Sequence, residues 1–131
     1  MIKKGFASDV SSLIQAVGLF QDALRDLTKD DTMPMQQSYL LVTLFVHGDL
    51  PQAKLEDFTK VADSANSRNV QKLGPGVWLD KGGTRKVFKP GLGLVENYPD
   101  PQDQRTKYVR LTPKGRGILE EAAQRVLVYY R

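Results

Sequence analysis

Apolar residues recur at three- and four-residue steps through Val10, Leu13, Ile14, Val17, Phe20, Leu24 and Leu27, the spacing of one helix face. The pattern predicts an amphipathic helix over about residues 9–28. Ser8 or Asp9 is placed to cap it, and Lys29-Asp30-Asp31-Thr32 forms the break. A second helix is expected over residues 34–47, because Pro34 suits a first turn and Gly48 suits the left-handed position after a last one. Leu40, Leu41, Leu44 and Phe45 give it a buried stripe, and its nearly continuous apolar surface reads as a central core helix. Leu50-Pro51 opens a third helix, about 52–60, with Leu55 and Phe58 inward. Asp63 or Ser64 caps a fourth, about 65–73, which turns Val70 and Leu73 inward and leaves Asn66, Arg68, Asn69 and Lys72 outward.

The period changes beyond Gly74. Val77-Trp78-Leu79 and Lys86-Val87-Phe88 flank a turn containing Gly82-Gly83 and predict a small hairpin. Residues 92–96 and 106–111 predict a second antiparallel pair, with residues 98–105 as its loop. Thr112 can cap a last helix and Pro113 can start it. Ile118, Leu119, Ala122, Val126 and Leu127 lie on one face of that helix. The fold class is therefore α+β, mostly α: a winged helix-turn-helix. The helix-turn-helix spans about 51–74, an inserted hairpin 75–91 and the wing about 92–112. Long helices at 9–28 and 113–131 are suited to dimerisation, all within a single domain, 1–131.

Composition narrows the function. The 131 residues fit one domain that can bury its own core. With no cysteine and His47 as the lone histidine, disulfides, thiol redox chemistry and Cys- or multi-His metal sites are excluded. No apolar run approaches the ~20 residues that span a bilayer, and the first residues lack the features of a signal peptide, so a cytoplasmic protein with no membrane partner is expected. Gly91-x-Gly93 lacks the helix that a nucleotide fold requires, and no paired carboxylates share an inward face. Neither an enzyme nor a cofactor is expected.

Net charge is +4, unevenly spread. Residues 1–63 carry 6 Lys/Arg and 9 Asp/Glu, whereas residues 64–116 carry 11 and 4. Arg105, Lys107, Arg110, Lys114, Arg116 and Lys89 crowd the wing region. A cationic hairpin feeding a helix suits DNA phosphates. Ser64, Asn66, Ser67, Arg68, Asn69 and Lys72 are the recognition-helix candidates, because short amides, hydroxyls and guanidinium groups read base edges and phosphates. Arg85 and Lys86 add candidate phosphate contacts in the inserted hairpin. Trp78 and Phe88 are read as that hairpin's own small core, and His47 as a helix-terminal residue.

Two blocks resemble the multiple-antibiotic-resistance regulator (MarR) family of dimeric winged-helix transcription regulators. In residues 50–73, Leu50, Gln52, Leu55, Ser67, Arg68, Val70 and Leu73 fall in the register of the family's helix-turn-helix. Gly93-Leu94-Val95-Glu96 followed by residues 100–115 matches its strand–wing–strand signature, with an Asp, a wing-tip Arg and Leu-Thr-x-x-Gly. The resemblance implies that Arg105 enters a minor groove, oriented by Asp103 and flanked by Thr106 and Lys107. The sequence departs from the family where Lys60 takes the place of a turn glycine, where Asn66 replaces an apolar residue, and where residues 74–92 lengthen a short connection.

The leading expectation is a homodimeric, sequence-specific binder of double-stranded DNA that represses from a pseudo-palindromic operator, its effector, small molecule or protein, left open. Two other readings stand beside it: a protein–protein adaptor using the 75–90 hairpin, and a nonspecific architectural DNA-binding protein.

Overall fold

The computed structural model describes residues 9–80, 82–83 and 85–130. The predicted cap Ser8 lies outside them. Helix α1 (Val10–Thr28) begins where the Asp9 carboxylate accepts the Ser11 N–H at 3.0 Å. Helix α2 (Met35–His47) starts after Pro34, which is its N-cap rather than its first residue. Gly48 follows at φ 82, ψ −162, so its positive φ needs glycine, but the conformation is not the expected left-handed helical one.

Leu50–Pro51 form a short strand, β1, and not the start of a helix. The third predicted helix splits into a 3-10 turn, Gln52–Lys54, and α3 (Leu55–Thr59). Helix α4 (Asp63–Leu73) begins two residues early, with Ala62 at its N-cap and no side-chain cap. Instead, the Asp63 N–H donates to Glu56 Oε1 at 3.1 Å. Strands β2 (Gly76–Asp80) and β3 (Lys86–Pro90) make the inserted hairpin, with Trp78 opposite Phe88. Strands β4 (Val95–Asp100) and β5 (Asp103–Leu111) make the wing, and β1 adds to β5 to give the order β1-β5-β4. Helix α5 (Pro113–Tyr129) closes the described chain.

The wing's connection is only Pro101-Gln102, not the eight-residue loop expected. Asp100 accounts for the difference. Its carboxylate accepts the Gln102 N–H at 2.9 Å, an Asx turn that Pro101 preorganises. Pro99 is tolerated because β4 is an edge strand.

The core gathers Leu24, Met33, Leu40, Leu41, Leu44, Leu55, Leu73, Leu94, Val95 and Val109, each 1% exposed or less. Both α1 and α2 carry apolar residues that this core leaves uncovered, which for α2 departs from the expected central core helix. Only the second half of α1 meets this core, while Val10, Leu13, Ile14 and Val17 are 50–70% exposed. Helix α2 is not covered all round, since Met35, Tyr39, Phe45 and Val46 are also exposed.

The segment 91–94 is the junction of the fold. Helix termini leave their last carbonyls without helical partners. Here the returning chain supplies them: Leu92 N–H donates to Lys72 O (3.0 Å), Gly93 to Gly74 O (2.9 Å) and Leu94 to Leu73 O (2.7 Å). From the other side, the Thr112 N–H donates to Leu94 O at 3.0 Å, and its hydroxyl donates to Gly93 O at 2.7 Å while accepting the Gly115 N–H at 3.0 Å. A Cβ at Gly115 would run into the Leu94 carbonyl.

Thr112→Ala removes both the cap of α5 and its bond to Gly93, so it is expected to cost about 1–2 kcal/mol of stability. Urea unfolding followed by circular dichroism measures this, and an unchanged midpoint would contradict the role given to the hydroxyl.

Candidate nucleic-acid interface

Helix α3, the turn after it and α4 form the helix-turn-helix. Lys60 sits in the turn at φ 60, ψ 23, a left-handed conformation held without glycine. That geometry costs a side-chain-bearing residue roughly 1–2 kcal/mol. A buried polar network offsets it. Thr59 Oγ1 donates to Leu55 O (2.9 Å) and accepts the Val61 N–H (3.2 Å), and Asn66 Nδ2 donates to Val61 O (2.9 Å). Asn66 is only 2% exposed. It pins the turn from inside and does not face outward as expected.

Asn69 is likewise buried, accepting a 3.4 Å hydrogen bond from Gln37 Nε2 of α2. Residues 66, 69, 70 and 73 make up the inner face of α4. Of the six recognition-helix candidates, Ser64, Ser67, Arg68 and Lys72 remain at the surface. Lys72 leans to the back of the helix, 3.6 Å from Asp30, with half its side chain exposed. Burial raises the pKa of Asp30, but hydrogen bonds from Thr32 and the Lys72 ammonium outweigh it and leave the carboxyl below its ordinary value.

The outer face of α4 thus runs through Ser64, Ser67, Arg68 and Gln71. Gln71 was not among the candidates, although it is four residues from Ser67 and three from Arg68. Between this face and the wing lies a groove of about 490 Å³, lined by Gln52, Asp63, Ser67, Gln71, Asn97, Arg105, Thr106 and Lys107. Gln52, also missed, bridges it: Nε2 donates to Ser67 Oγ at 3.4 Å and Oε1 accepts from Asn97 Nδ2 at 2.8 Å.

At the wing tip, Asp103 Oδ1 accepts the Arg105 N–H (3.1 Å) and lies 3.4 Å from Arg105 Nε, and Oδ2 accepts from Thr106 Oγ1 (3.2 Å). The Arg105 side chain is 94% exposed. Such an arginine is aimed but not enclosed. Other cations of the region have structural work. Arg110 pairs with Glu96 at 3.0 Å and lies over the Tyr98 ring, Arg116 lies over Phe45, and Lys114 Nζ donates to Leu92 O. Tyr98 donates to Asp49 Oδ2 at 2.8 Å, a bond that together with burial raises its pKa.

In the inserted hairpin, Lys86 lies on the face of Trp78 and Phe88, opposite Asp80, and Arg85 precedes β3. Trp78 and Phe88 contact each other at 5.1 Å between ring centroids, but Trp78 is 65% exposed, so the pair is a cross-strand contact and not a closed core. His47 packs on the Phe58 ring at 4.9 Å. Among the described residues no group of acidic, His or Cys side chains could hold a metal, and no helix is long and apolar enough to cross a membrane.

No family model matches the sequence. The uncharacterized HTH-type transcriptional regulator YdgG of Bacillus subtilis (strain 168) is 30% identical over 119 residues, covering 83% of this chain and 69% of that protein. Among solved structures, the chain is similar to RV1404 from Mycobacterium tuberculosis (TM-score 0.66, 19% identity, 98% of this chain and 79% of that one). It is also similar to a mutant MarR from E. coli complexed with operator DNA (TM-score 0.57, 21% identity, 96% of this chain and 79% of that one). At these identities the structural likeness speaks to the fold.

Asn66→Leu keeps the number of side-chain heavy atoms but removes the bonds from Asn66 Nδ2 to the Val61 carbonyl and the Thr59 hydroxyl. A loss of about 1–3 kcal/mol is expected, read as a lower urea midpoint. A variant as stable as the parent would show that the turn holds without this network.

Proposed function

Since this chain belongs to the MarR family of winged helix-turn-helix transcription regulators, we propose that it acts as a homodimer on a specific, pseudo-palindromic site in double-stranded DNA. The observation that carries the reading is the groove of about 490 Å³ between the polar outer face of α4 and the cationic wing. Helix α4 enters a major groove with Ser64, Ser67, Arg68 and Gln71 toward base edges and phosphates. Lys107 lies on the flanking backbone, and Arg105, oriented by Asp103 with Thr106 beside it, reaches the adjacent minor groove. Asn66 and Asn69 take no part, because both are buried.

The partner in the dimer is a second copy of the chain. Val10, Leu13, Ile14 and Val17 of α1, Met35, Tyr39 and Val46 of α2, and Val128 and Tyr129 of α5 are all at least half exposed. Between these helices lies an apolar groove of about 550 Å³ lined by Leu13, Val17, Phe20, Met35, Tyr39 and Val126. Exposed apolar surface of this extent marks an interface, and its helices are those expected to dimerise, with α2 added. Two-fold symmetry then sets the half-sites about one helical turn, ~34 Å, apart. A dimer lying across both half-sites denies that DNA to polymerase, which makes the regulator a repressor.

Selection from a random duplex library, followed by fluorescence anisotropy across a salt series, tests the DNA reading. An inverted repeat is expected. Lys107→Ala should weaken all sequences alike and flatten the log K–log salt slope by about 0.9. Arg68→Ala should cost about 1–3 kcal/mol and relax preference at one position. Equal slopes for parent and Lys107→Ala would remove that residue from the phosphate contacts.

The dimer has its own test. Ile14→Glu with Val17→Glu places carboxylates in the apolar face without touching the core. Sedimentation should show a dimer for the parent and a folded monomer for the variant, with operator affinity lost in the monomer. A parent that sediments as a monomer would sink the proposal.

A further inference from the structure

Helix α4 is flanked on two sides. The wing groove touches it at Asp63, Ser67 and Gln71. A second groove, of about 330 Å³, runs between α4 and the inserted hairpin, and it touches α4 at Arg68, Gln71 and Lys72. Gln71 borders both, so both open beside the same outer face. The hairpin wall of the second groove is Val77, Leu79 and Lys89. The strand pairing puts these side chains on one face, with Trp78, Asp80, Lys86 and Phe88 on the other. The described lining of this groove thus holds Arg68, Lys72 and Lys89 and no carboxylate.

We propose that the inserted hairpin is a second DNA-contacting arm, which holds a phosphate backbone in the groove between β3 and α4 on Lys89, Arg68 and Lys72, with Arg85 extending the contact along the duplex; Lys86, on the opposite face of the hairpin, takes no part. The proposal rests on the reading of α4 as the recognition helix and gives the 75–90 insertion a ligand of its own. Charge complementarity selects the occupant. Arg68 and Lys89, with no acid paired to either, and the half-exposed Lys72 beside Asp30 suit a polyanion, whereas a protein partner would be met by the Trp78–Phe88 face on the far side. Among described carboxylates, none pairs with Arg68, Arg85, Lys86 or Lys89, and Lys72 keeps half its side chain exposed beside Asp30.

The arm is also held in position. Its two ends meet at the C-terminus of α4, where the Gly91 N–H donates to Pro75 O at 3.2 Å and the Leu92 N–H to Lys72 O at 3.0 Å. A Cβ at Gly91 would collide with the Gly74 carbonyl, so the two strands leave the helix from a closed root. Helix and arm therefore approach a duplex as one piece, so no backbone of the arm has to be ordered on binding.

The test uses the full chain and a duplex it selects from a random library. The duplex is prepared in a short form that ends at the inverted repeat and a long form with a further helical turn of DNA on each side. The hairpin variant is Arg85→Gln/Lys89→Gln, two exposed positions, with Lys107→Ala as the wing comparator, Lys89→Gln alone as a milder change and Lys86→Gln as the far-face control. On the long duplex the double variant should flatten the salt slope by about two units, Lys89→Gln by about one and Lys86→Gln not at all, with the selected sequence preference unchanged. Hydroxyl-radical footprints should lose protection on the backbone bordering the α4 half-site and keep it under the wing. If the double variant matches the parent in slope and footprint while Lys107→Ala does not, the arm is overturned and the DNA reading survives. If the parent binds neither duplex, the reading of α4 fails, and the arm with it.

Discussion

Four backbone carbonyls at the end of α4 and the start of the wing hold this molecule in register. Lys72, Leu73 and Gly74 give theirs to the N–H groups of residues 92–94, and Leu94 gives its own to Thr112. Helix α4, the inserted hairpin, the wing and the last helix all meet on this short stretch. Leu94 and Val95 are essentially unexposed, so the bonds are made where water cannot substitute for them. Gly115 belongs to the same constraint, since α5 passes so near Leu94 that a side chain would not fit. An insertion of some fifteen residues is tolerated here because the chain leaves and re-enters at one point, and closing a longer loop costs little more entropy than closing a short one.

Periodicity predicted the five main helices and both hairpins, but not what their faces meet. In α1 the apolar stripe is continuous from Val10 to Leu27, yet its first half is uncovered and its second half is core. A stripe shows that a face seeks burial, and it is equally satisfied by the chain's own core or by another molecule. The inward turn of Asn66 and Asn69 was legible and overlooked. They share the spacing of Val70 and Leu73, and the polarity of an asparagine does not outweigh its position once Thr59, Val61 and Gln37 supply partners. The same spacing, read from the other side, yields Gln71. Strand β1, by contrast, was beyond reach. Two residues hold no period, and they become a strand only because β5 is there to pair with.

Sequence charge likewise overstated the cationic surface. Arg110, Arg116 and Lys114 are engaged with Glu96, the Phe45 ring and the Leu92 carbonyl, where their long side chains pack as much as they charge. What remains for a polyanion is fewer groups in better positions: Arg105 and Lys107 on one flank of α4, and Lys89 with Arg68 on the other. The turn beneath them shows a comparable substitution. A glycine would make the left-handed step cheaply, but here Lys60 makes it and the Thr59–Asn66 network holds the turn closed. The asparagine that departs from the family pattern and the lysine that departs from it are thus one adjustment.

Helix α2 connects the two surfaces. Its inward residues Gln37, Leu40, Leu41 and Leu44 pack toward α4 and the core, with Gln37 bonded directly to Asn69. Its outward residues Met35, Tyr39 and Val46 belong to the apolar face assigned to the second copy. A dimer formed through α1, α2 and α5 would therefore set the separation of the two α4 helices through one layer of side chains, with no flexible linker between. That separation must match the helical repeat of DNA closely, since an error of a few ångströms in half-site spacing cannot be absorbed by a close-packed interior. In such a dimer the uncovered side of α2, costly in a lone chain, would be accounted for by that requirement.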